Sequence, residues 1–204
     1  MVPYKHFFGQ TITTDVVDVA VDRAFLAHIN IHNAVAATSN GMVDGAECST
    51  GQDAKPVIIT EFAAQPDAPR NIVVKVAATT AGDVAAGNIV VSGINCAGKA
   101  IAENFAVTAD TPATITGNLA FKEVKSVTVP VQDGASVTVD VGWGDIFGLP
   151  YMLPYNTVFK TYFGGTEEST APTVVTDVDE IEKNTIDLNS TPDGEKDIDI
   201  YLII

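Results

Sequence analysis

Basic residues are scarce in this sequence. It contains 11 Lys and Arg against 26 Asp and Glu, which gives a formal net charge of −15. Nonspecific attraction to nucleic acid depends on clustered Lys and Arg that neutralise phosphates. We therefore expect no direct nucleic-acid partner. The segment from Thr166 to Asp199 holds eleven acidic residues and two Lys, a net charge of −9, which is typical of a solvated surface.

Cysteine is almost absent as well. Cys48 and Cys96 are the two cysteines, they lie far apart in sequence, and neither belongs to a C-x-x-C pair. The sequence therefore supports neither a disulfide framework nor a zinc knuckle. Two free thiols that pack as small apolar groups are favoured over one long-range disulfide.

Long apolar runs and targeting signals are also lacking. No run approaches the roughly 20 apolar residues of a membrane span. The N-terminal sequence MVPYKHFFGQ does not have the basic region and apolar core of a signal peptide. We expect synthesis in a cytoplasm and no membrane partner.

Catalytic and cofactor motifs are missing too. There are three His residues and no G-x-S-x-G sequence, so a nucleophilic triad is not supported and we predict that the protein is not an enzyme. His28 and His32 are spaced to share a face, but a metal site needs three or four ligands. We predict no metal and no cofactor.

A surface calcium remains an alternative to that prediction. Two acidic clusters supply oxygen ligands, although neither has the spacing and central glycine of an EF-hand loop. The clusters are Asp177, Asp179, Glu180 and Glu182, and Asp193, Glu195, Asp197 and Asp199.

What the sequence does contain is typical of β-strands. Val, Ala, Thr and Gly dominate, and charged residues make up 18%, below the roughly 25% of an average soluble domain. The clearest pattern lies between Ala120 and Leu153, where valines alternate with polar residues on both sides of the segment Gln132–Ala135. The Asp-Gly pair in that segment favours a tight reversal. We predict a β-hairpin there.

Several other segments extend this pattern. We predict a second hairpin from Asn88–Ile94 and Ile101–Val107, with its turn at Gly98. We predict a long loop over Ala36–Lys55 and a connector over Thr108–Asn118. The glycine- and aromatic-rich stretch Gly142–Tyr155 predicts an irregular crossing. Further strands are predicted at Pro56–Ala63, Asn71–Ala78, Thr157–Phe163, Asn184–Leu188 and Asp197–Ile204.

These segments predict an all-β fold. We expect an antiparallel β-sandwich, Ig-like or jelly-roll-like, with an extended N-terminal arm. Residues 70–204 are predicted to form the sandwich, and residues 1–69 to form the arm and a strand and loop region that packs on it or on a neighbouring subunit. The arm carries Pro3, Tyr4, Phe7 and Phe8, which we expect to contact a partner.

From about Asn71 to Ile204 the sequence resembles a group of virion structural proteins of tailed bacteriophages. The resemblance rests on the segments NIVVSGINCAGKAIAENF, ITGNLAFKEVKSVTVP, VDVGWGDIFGLPYMLPYNTV and NTIDLNSTPDGEKDIDIYLII. The corner departs slightly from the family at Trp143 and Ile146. The resemblance implies a capsid or tail component of the virion.

The resemblance and the composition together suggest a capsid decoration or cement protein on the outer surface of the head. It would bind the major capsid protein and itself, as a homo-oligomer for which a trimer is favoured, after synthesis in the host cytoplasm. One alternative is a tail or head–tail connector component. Another is a carbohydrate-binding module for host attachment, in which Trp143, Tyr151 and Tyr155 would form a stacking platform if exposed.

Overall fold

The structure is a computed structural model that describes residues 11–13, 16–17, 20–22, 24–51 and 53–204. The predicted arm residues Pro3, Tyr4, Phe7 and Phe8 lie outside the described residues. The described residues contain sixteen β-strands and two short 3-10 turns, at Ala81–Asp83 and Ile181–Lys183. The strands are β1 (Thr11–Thr13), β2 (Ala20–Asp22), β3 (Leu26–Ile31), β4 (Thr38–Glu47), β5 (Val57–Ile59), β6 (Arg70–Ala78), β7 (Gly87–Ile94), β8 (Ala100–Val107), β9 (Ala113–Thr116), β10 (Glu123–Val129), β11 (Val137–Gly148), β12 (Val158–Phe163), β13 (Thr166–Glu167), β14 (Thr173–Val175), β15 (Thr185–Asp187) and β16 (Ile198–Ile203).

The larger region of the molecule consists of two antiparallel sheets that share one core. One sheet has the strand order β5-β10-β7-β8, and the other has the order β14-β15-β11-β6-β9 with β4 also paired to β11. Alternate residues of these strands point into the core, as the period of two in their sequences predicts. The core contains Phe105, Phe121 and Trp143 among many valines and isoleucines. The prediction of an all-β antiparallel sandwich is confirmed.

A smaller region contains the C-terminal strand. Its sheet has the order β13-β12-β16-β3, with all pairs antiparallel. Ile198, Ile200 and Leu202 of β16 are buried in a second core, together with Phe147 and Leu153. The prediction that the last strand is built into a sheet is confirmed, since β16 has a neighbour on each side.

Strand β11 joins the two regions. Its first seven residues pair with β6 and β4 around the larger core, and its last three pair with β15 beside the smaller core. Strands β3, β4 and β5 of the predicted segment 1–69 pair with β16, β11 and β10 of the predicted segment 70–204. The chain before Pro69 thus supplies strands to the same sheets as the chain after it.

Arg70 is the buried polar link at this junction. Its guanidinium is fully buried, lies 4.4 Å from the centroid of the Phe147 ring and donates from Nε to the carbonyl oxygen of Gly144 at 2.7 Å. One terminal nitrogen also donates to Asp67 Oδ1 at 2.8 Å and to the carbonyl oxygen of Val35 at 2.9 Å. A buried charge is stable only when it is paired and hydrogen-bonded. These contacts meet that requirement for most of the guanidinium.

The predicted hairpin between Ala120 and Leu153 is wrong. Both strands exist, but β10 pairs with β5 and β7, whereas β11 pairs with β6, β4 and β15. The connection between β10 and β11 crosses from one sheet to the other. The backbone N–H groups of Asp133 and Gly134 donate to the carbonyl oxygen of Asp83, whereas a hairpin turn would have bonded β10 to β11. Period-two patterning identifies strands, and it does not identify their partners.

The predicted loop over Ala36–Lys55 is also wrong, because it contains the ten-residue strand β4. The strand pairs with β11 through an irregular register. Gly142 of β11 permits this close approach: a Cβ atom there would lie 1.9 Å from the carbonyl oxygen of Thr38. Strand β4 has one fully buried apolar residue, Met42, so its sequence lacks the alternation by which strands are recognised.

Two further segments are partly corrected. The predicted connector Thr108–Asn118 contains β9, which pairs with β6. The first half of the predicted crossing Gly142–Tyr155 belongs to β11, although its register to β6 shifts between Trp143 and Phe147, and its second half lacks strand structure. The second predicted hairpin is confirmed: β7 and β8 pair along their whole length, and Gly98 in the turn has φ +77°. That backbone conformation is easily adopted by glycine alone.

Candidate interaction surface

The outer face of the β13-β12-β16-β3 sheet changes in character from one end to the other. Antiparallel pairing places Asn30 opposite Asp199, His28 opposite Tyr201 and Leu26 opposite Ile203. Directly opposite residues project on the same face of a sheet. From one end to the other, this outer face therefore has a polar level at Asn30 and Asp199, an aromatic level at His28 and Tyr201, and an aliphatic level at Leu26 and Ile203.

The aromatic level is a group of packed rings. The His28 and Tyr201 rings stack at 4.5 Å with an interplanar angle of 4°. Tyr162 meets Tyr201 edge-on at 5.7 Å, and Phe159 lies 6.4 Å from it at a tilt. Such contacts add about 0.5–1.5 kcal/mol per pair beyond area burial. The rings therefore form a fixed surface on which a partner could pack.

The aliphatic level borders an open cleft of about 310 Å³ that Ala24, Phe25, Leu26, Phe159 and Ile203 line. The exposed fractions of Leu26, Phe159 and Ile203 are 63%, 52% and 40%. Single exposed apolar residues are ordinary, but a contiguous group drawn from three strands often marks an interaction site. We refer to these lining residues as the apolar cleft.

The polar level is negatively charged. His28 Nε2 and Asn30 Nδ2 contact the same oxygen of Asp199, Oδ1, at 2.7 and 2.8 Å. His32 Nδ1 lies 2.7 Å from Asp197 Oδ1. The backbone N–H of Asn33 and the His32 side chain hold the pKa of Asp197 below its ordinary value. The carboxylate at this end is therefore ionised over a wide pH range.

A second charged pair lies on β12 and β13. Lys160 Nζ is 2.8 Å from Glu167 Oε2 and 5.9 Å from the centroid of the Tyr162 ring. The hydrogen bond between them lowers the pKa of Glu167 and raises the pKa of Lys160. This pair leaves the side of the face next to β12 close to neutral, so the negative charge is concentrated on the β3 and β16 side.

Strand β3 is an edge of its sheet. Within the described residues it has a hydrogen-bonded strand on the β16 side alone. The backbones of Phe25 and Ile204 exchange both hydrogen bonds, at 2.8 and 2.9 Å. Because hydrogen-bonded pairs alternate in an antiparallel ladder, the N–H and C=O groups of Leu26, His28 and Asn30 point away from β16. The outer-face side chains of β3 thus belong to the residues whose backbone groups point toward the open edge.

The edges of the larger region are different, apart from the ten-residue β4, which within the described residues pairs with β11 alone. Strands β5, β9 and β14 are three or four residues long. The eight-residue edge strand β8 carries Glu103 among its inward-facing residues, and burial raises the pKa of that carboxyl. Short edges and inward-facing charges are devices that prevent unwanted strand pairing. Strand β3 has six residues and neither Lys nor Pro, and its inward-facing residues are Ala27, Ile29 and Ile31.

The structure does not bring His28 and His32, whose spacing allows them to share a face, to a common site. His28 pairs with Asp199 and His32 with Asp197. Within the described residues there is no group of three His, Cys, Asp or Glu side chains placed to hold a metal ion. Asp199 on β16 and Asp197 just before it pair with these histidines. They could not be identified as the partners from the sequence without knowledge of the β3–β16 pairing.

The predicted acidic clusters stabilise local turns. Asp177 accepts hydrogen bonds from the backbone N–H groups of Asp179 and Glu180, both at 2.8 Å, and these bonds lower its pKa. Asp193 accepts from the backbone N–H groups of Glu195 and Lys196, and its pKa is likewise lowered. Glu182 is buried and accepts from Asn95 Nδ2 at 2.9 Å.

The prediction of two free thiols is confirmed, since Cys48 and Cys96 are both unpaired and partly buried. Burial raises the pKa of Cys48 to about 11 and raises the pKa of Cys96. Both thiols are therefore protonated at neutral pH, and a protonated thiol is a poor nucleophile.

The three aromatics of the predicted sugar platform do not form one surface. Trp143 is buried, packs against Gly41 and donates from Nε1 to the carbonyl oxygen of Ala36 at 3.1 Å. Tyr155 is exposed and Tyr151 is half-buried. The aromatics that do meet on the outer face are the exposed Phe159 and the half-buried Tyr162 and Tyr201, and the sequence patterns did not single them out. Consecutive apolar residues at Val158-Phe159 and Leu202-Ile203 were the available signal, because both faces of a strand become apolar there.

A different cavity, of about 390 Å³, lies beside β14 and β15. Its walls include Leu119, Ile146 and Val175, with Lys183 and Asp187 at its rim. Burial raises the pKa of Asp187, and the nearby Asp145 carboxylate raises it further. The cavity is mainly apolar and has no cluster of groups suited to catalysis.

Comparisons with known proteins give no relative: the chain matches no family model, no curated protein and no solved structure. No helix within the described residues is long and apolar enough to cross a membrane. The fold therefore defines the class of protein: an all-β chain with antiparallel sheets around two cores.

Proposed function

We propose that this chain is a non-enzymatic structural protein of a tailed-bacteriophage virion. In its most specific form, the proposal is that the chain is a capsid decoration protein, which binds the outer surface of the major capsid lattice and stabilises the head. The segments between Asn71 and Ile204 that resemble phage virion proteins support this proposal. The virion would then be the place where the protein acts.

The observation that carries the proposal is the graded outer face of the β13-β12-β16-β3 sheet. Leu26, Phe159 and Ile203 stay exposed on it, and Tyr162 and Tyr201 stay half-buried, although the described residues already form two cores. Burying apolar surface contributes about 25 cal/mol per Å², so such a face supports stable attachment to another protein. A decoration protein needs this kind of surface and needs no catalytic group.

The proposal includes self-association. Pro3, Tyr4, Phe7 and Phe8 would contact a neighbouring subunit, and the copies would form a homo-oligomer, most simply a trimer at a local symmetry axis of the capsid. Symmetric assembly is the usual state of soluble oligomers.

The test is the copy number of the protein in purified virions, measured by quantitative mass spectrometry against the major capsid protein. We expect a simple ratio to the capsid protein, and binding of the isolated protein to capsids from which it has been stripped. A few copies per particle would favour a tail or connector component over a decoration protein. Absence from the virion would contradict both.

A further inference from the structure

We propose that the open edge of β3 and the apolar cleft together form the docking site for an extended segment of the capsid partner. The segment would add to the sheet as a strand beside β3. It would carry a large apolar side chain and, four residues along on the same face, a Lys or Arg. This inference rests on the proposed function, because it names the contact through which a decoration protein would attach.

The backbone of β3 is arranged for this mode of binding. The N–H and C=O groups of Leu26, His28 and Asn30 point toward the open edge. An added strand satisfies such groups, and the side chains beside them supply specificity. Beside this edge lies a groove of about 400 Å³, with Ile29, Asn30 and Ile31 on one side and Asp67, Pro69 and Pro150 on the other.

The apolar cleft determines which kind of side chain the incoming segment carries at one position. A residue opposite Leu26 on the added strand projects onto the outer face, beside Leu26 and its cross-strand neighbour Ile203. Phe159 completes this end of the face. A large apolar side chain at that position is removed from water by three exposed apolar residues of this chain.

The negative charge of Asp199 and Asp197 determines which kind of side chain the segment carries at the second position. The level of Asn30 and Asp199 lies four residues from Leu26 along β3, about 13 Å away at strand spacing. His28 and Asn30 both contact Oδ1 of Asp199, which leaves Oδ2 of this partly exposed carboxylate for a cationic group of the partner. Asp197 adds a second carboxylate at this end. Asp197 and Asp199 attract a basic segment and disfavour an acidic segment of a second copy at this edge.

The first experiment measures binding of the full chain to stripped capsids for matched variants. Phe159→Ser should weaken binding by about tenfold or more, the size expected for a central apolar contact. Ile58→Ser is the control, because Ile58 is 64% exposed on β5 of the larger region, and it should change binding by less than about twofold. Equal binding by wild type and Phe159→Ser would overturn the docking site while the decoration function stands. No binding by wild type would overturn the decoration function, and the docking site with it.

The second experiment uses hydrogen exchange to detect an added strand. On capsid binding, the amides of Leu26, His28 and Asn30 should become slow to exchange, whereas those of Ala27, Ile29 and Ile31 are already held by β16. Unchanged exchange at the first three amides would overturn strand addition. Slow exchange at these amides in the free protein would show that another part of the chain occupies the edge, and would overturn the proposal as well.

The third experiment tests the basic residue. Asp199→Asn should weaken capsid binding and reduce its dependence on salt, since screening acts on exposed charges. Asp133→Asn removes an exposed charge from a loop of the larger region and is the control. Equal salt dependence in both variants and wild type would contradict a basic partner.

Discussion

The two regions of the molecule bury their apolar residues to different degrees. The larger region closes a core of many valines between two sheets and limits its sheet edges with short strands and an inward-facing carboxyl. The smaller region buries one face of the β13-β12-β16-β3 sheet and leaves aromatic and aliphatic side chains on the other. The main core and the candidate interaction surface therefore lie in different parts of one chain. The larger region supplies most of the buried core, and the smaller region presents the surface.

The largest effect is expected from removing the link between the regions. Arg70→Ala removes the donor to the carbonyl oxygens of Gly144 and Val35 and opens a cavity beside Phe147, so we expect a loss of about 3–5 kcal/mol in the free energy of unfolding. Urea unfolding followed by circular dichroism measures it. The control is Lys125→Ala, which removes the exposed ion pair to Glu123 in the larger region and should cost at most about 1 kcal/mol. Similar losses for both variants would show that Arg70 is not needed at the junction.

Matched core truncations test whether the regions unfold together. Ile89 and Ile200 are each 1% exposed, in the larger and the smaller core, and replacing either by Ala should cost about 2–5 kcal/mol. Trp143 is the single Trp and lies in the larger core, whereas Tyr162 and Tyr201 lie in the smaller region. We expect coincident changes in Trp143 fluorescence and in the near-ultraviolet signal of the tyrosines, because β11 runs through both cores. In Ile200→Ala, loss of the tyrosine signal before the Trp143 signal would show two independent units.

A smaller effect is expected where β4 crosses β11. In Gly142→Ala the new methyl group would meet the Thr38 carbonyl, so β4 must shift, at a cost of about 1–3 kcal/mol. Thermal unfolding measures the loss, and Trp143 fluorescence should change because the indole donates to Ala36 just before β4. Gly45→Ala is a poor control since Gly45 has φ +64°. Gly82→Ala is the better one, because a Cβ atom there would meet Asp110 Oδ1 at 3.9 Å, an ordinary contact. Unchanged stability in Gly142→Ala would mean that β4 does not need this approach.

The smallest effect concerns the pH dependence of the larger region. Burial raises the pKa of Glu103 above its ordinary value of 4.5, so the folded state holds this proton more tightly than the unfolded chain does. The group favours folding below about pH 4.5 and loses that contribution as the pH rises through its folded pKa. Relative to Glu103→Gln, the wild type should lose stability as the pH rises through this window. Parallel stability curves for the two proteins would contradict the assignment.

Local signals were enough to predict the β7–β8 hairpin, because its turn chemistry and its pairing lie within one short segment. Pairing over long distances was not predictable in the same way: β10 and β11 follow each other in sequence and still lie in different sheets. Strand β4 was missed because a glycine-rich strand beside β11 needs neither alternation nor many buried side chains.

The candidate surface was half predictable. The buried face of the last strand was identified from Ile198, Ile200 and Leu202, and that prediction is confirmed. The opposite face could be interpreted only together with β3. In the antiparallel register, Leu26, His28 and Asn30 lie opposite Ile203, Tyr201 and Asp199 in turn. That match joins residues about 170 positions apart and is invisible to a local pattern.

Strand β11 also has a mechanical consequence. It is hydrogen-bonded to β6 on one side and to β4 and then β15 on the other. A force on the smaller region that acts along β11 therefore loads these interstrand hydrogen bonds in shear. Many of them then bear the force together, and they do not break one after another. A protein anchored through its smaller region would pass an outward load directly into its largest sheet.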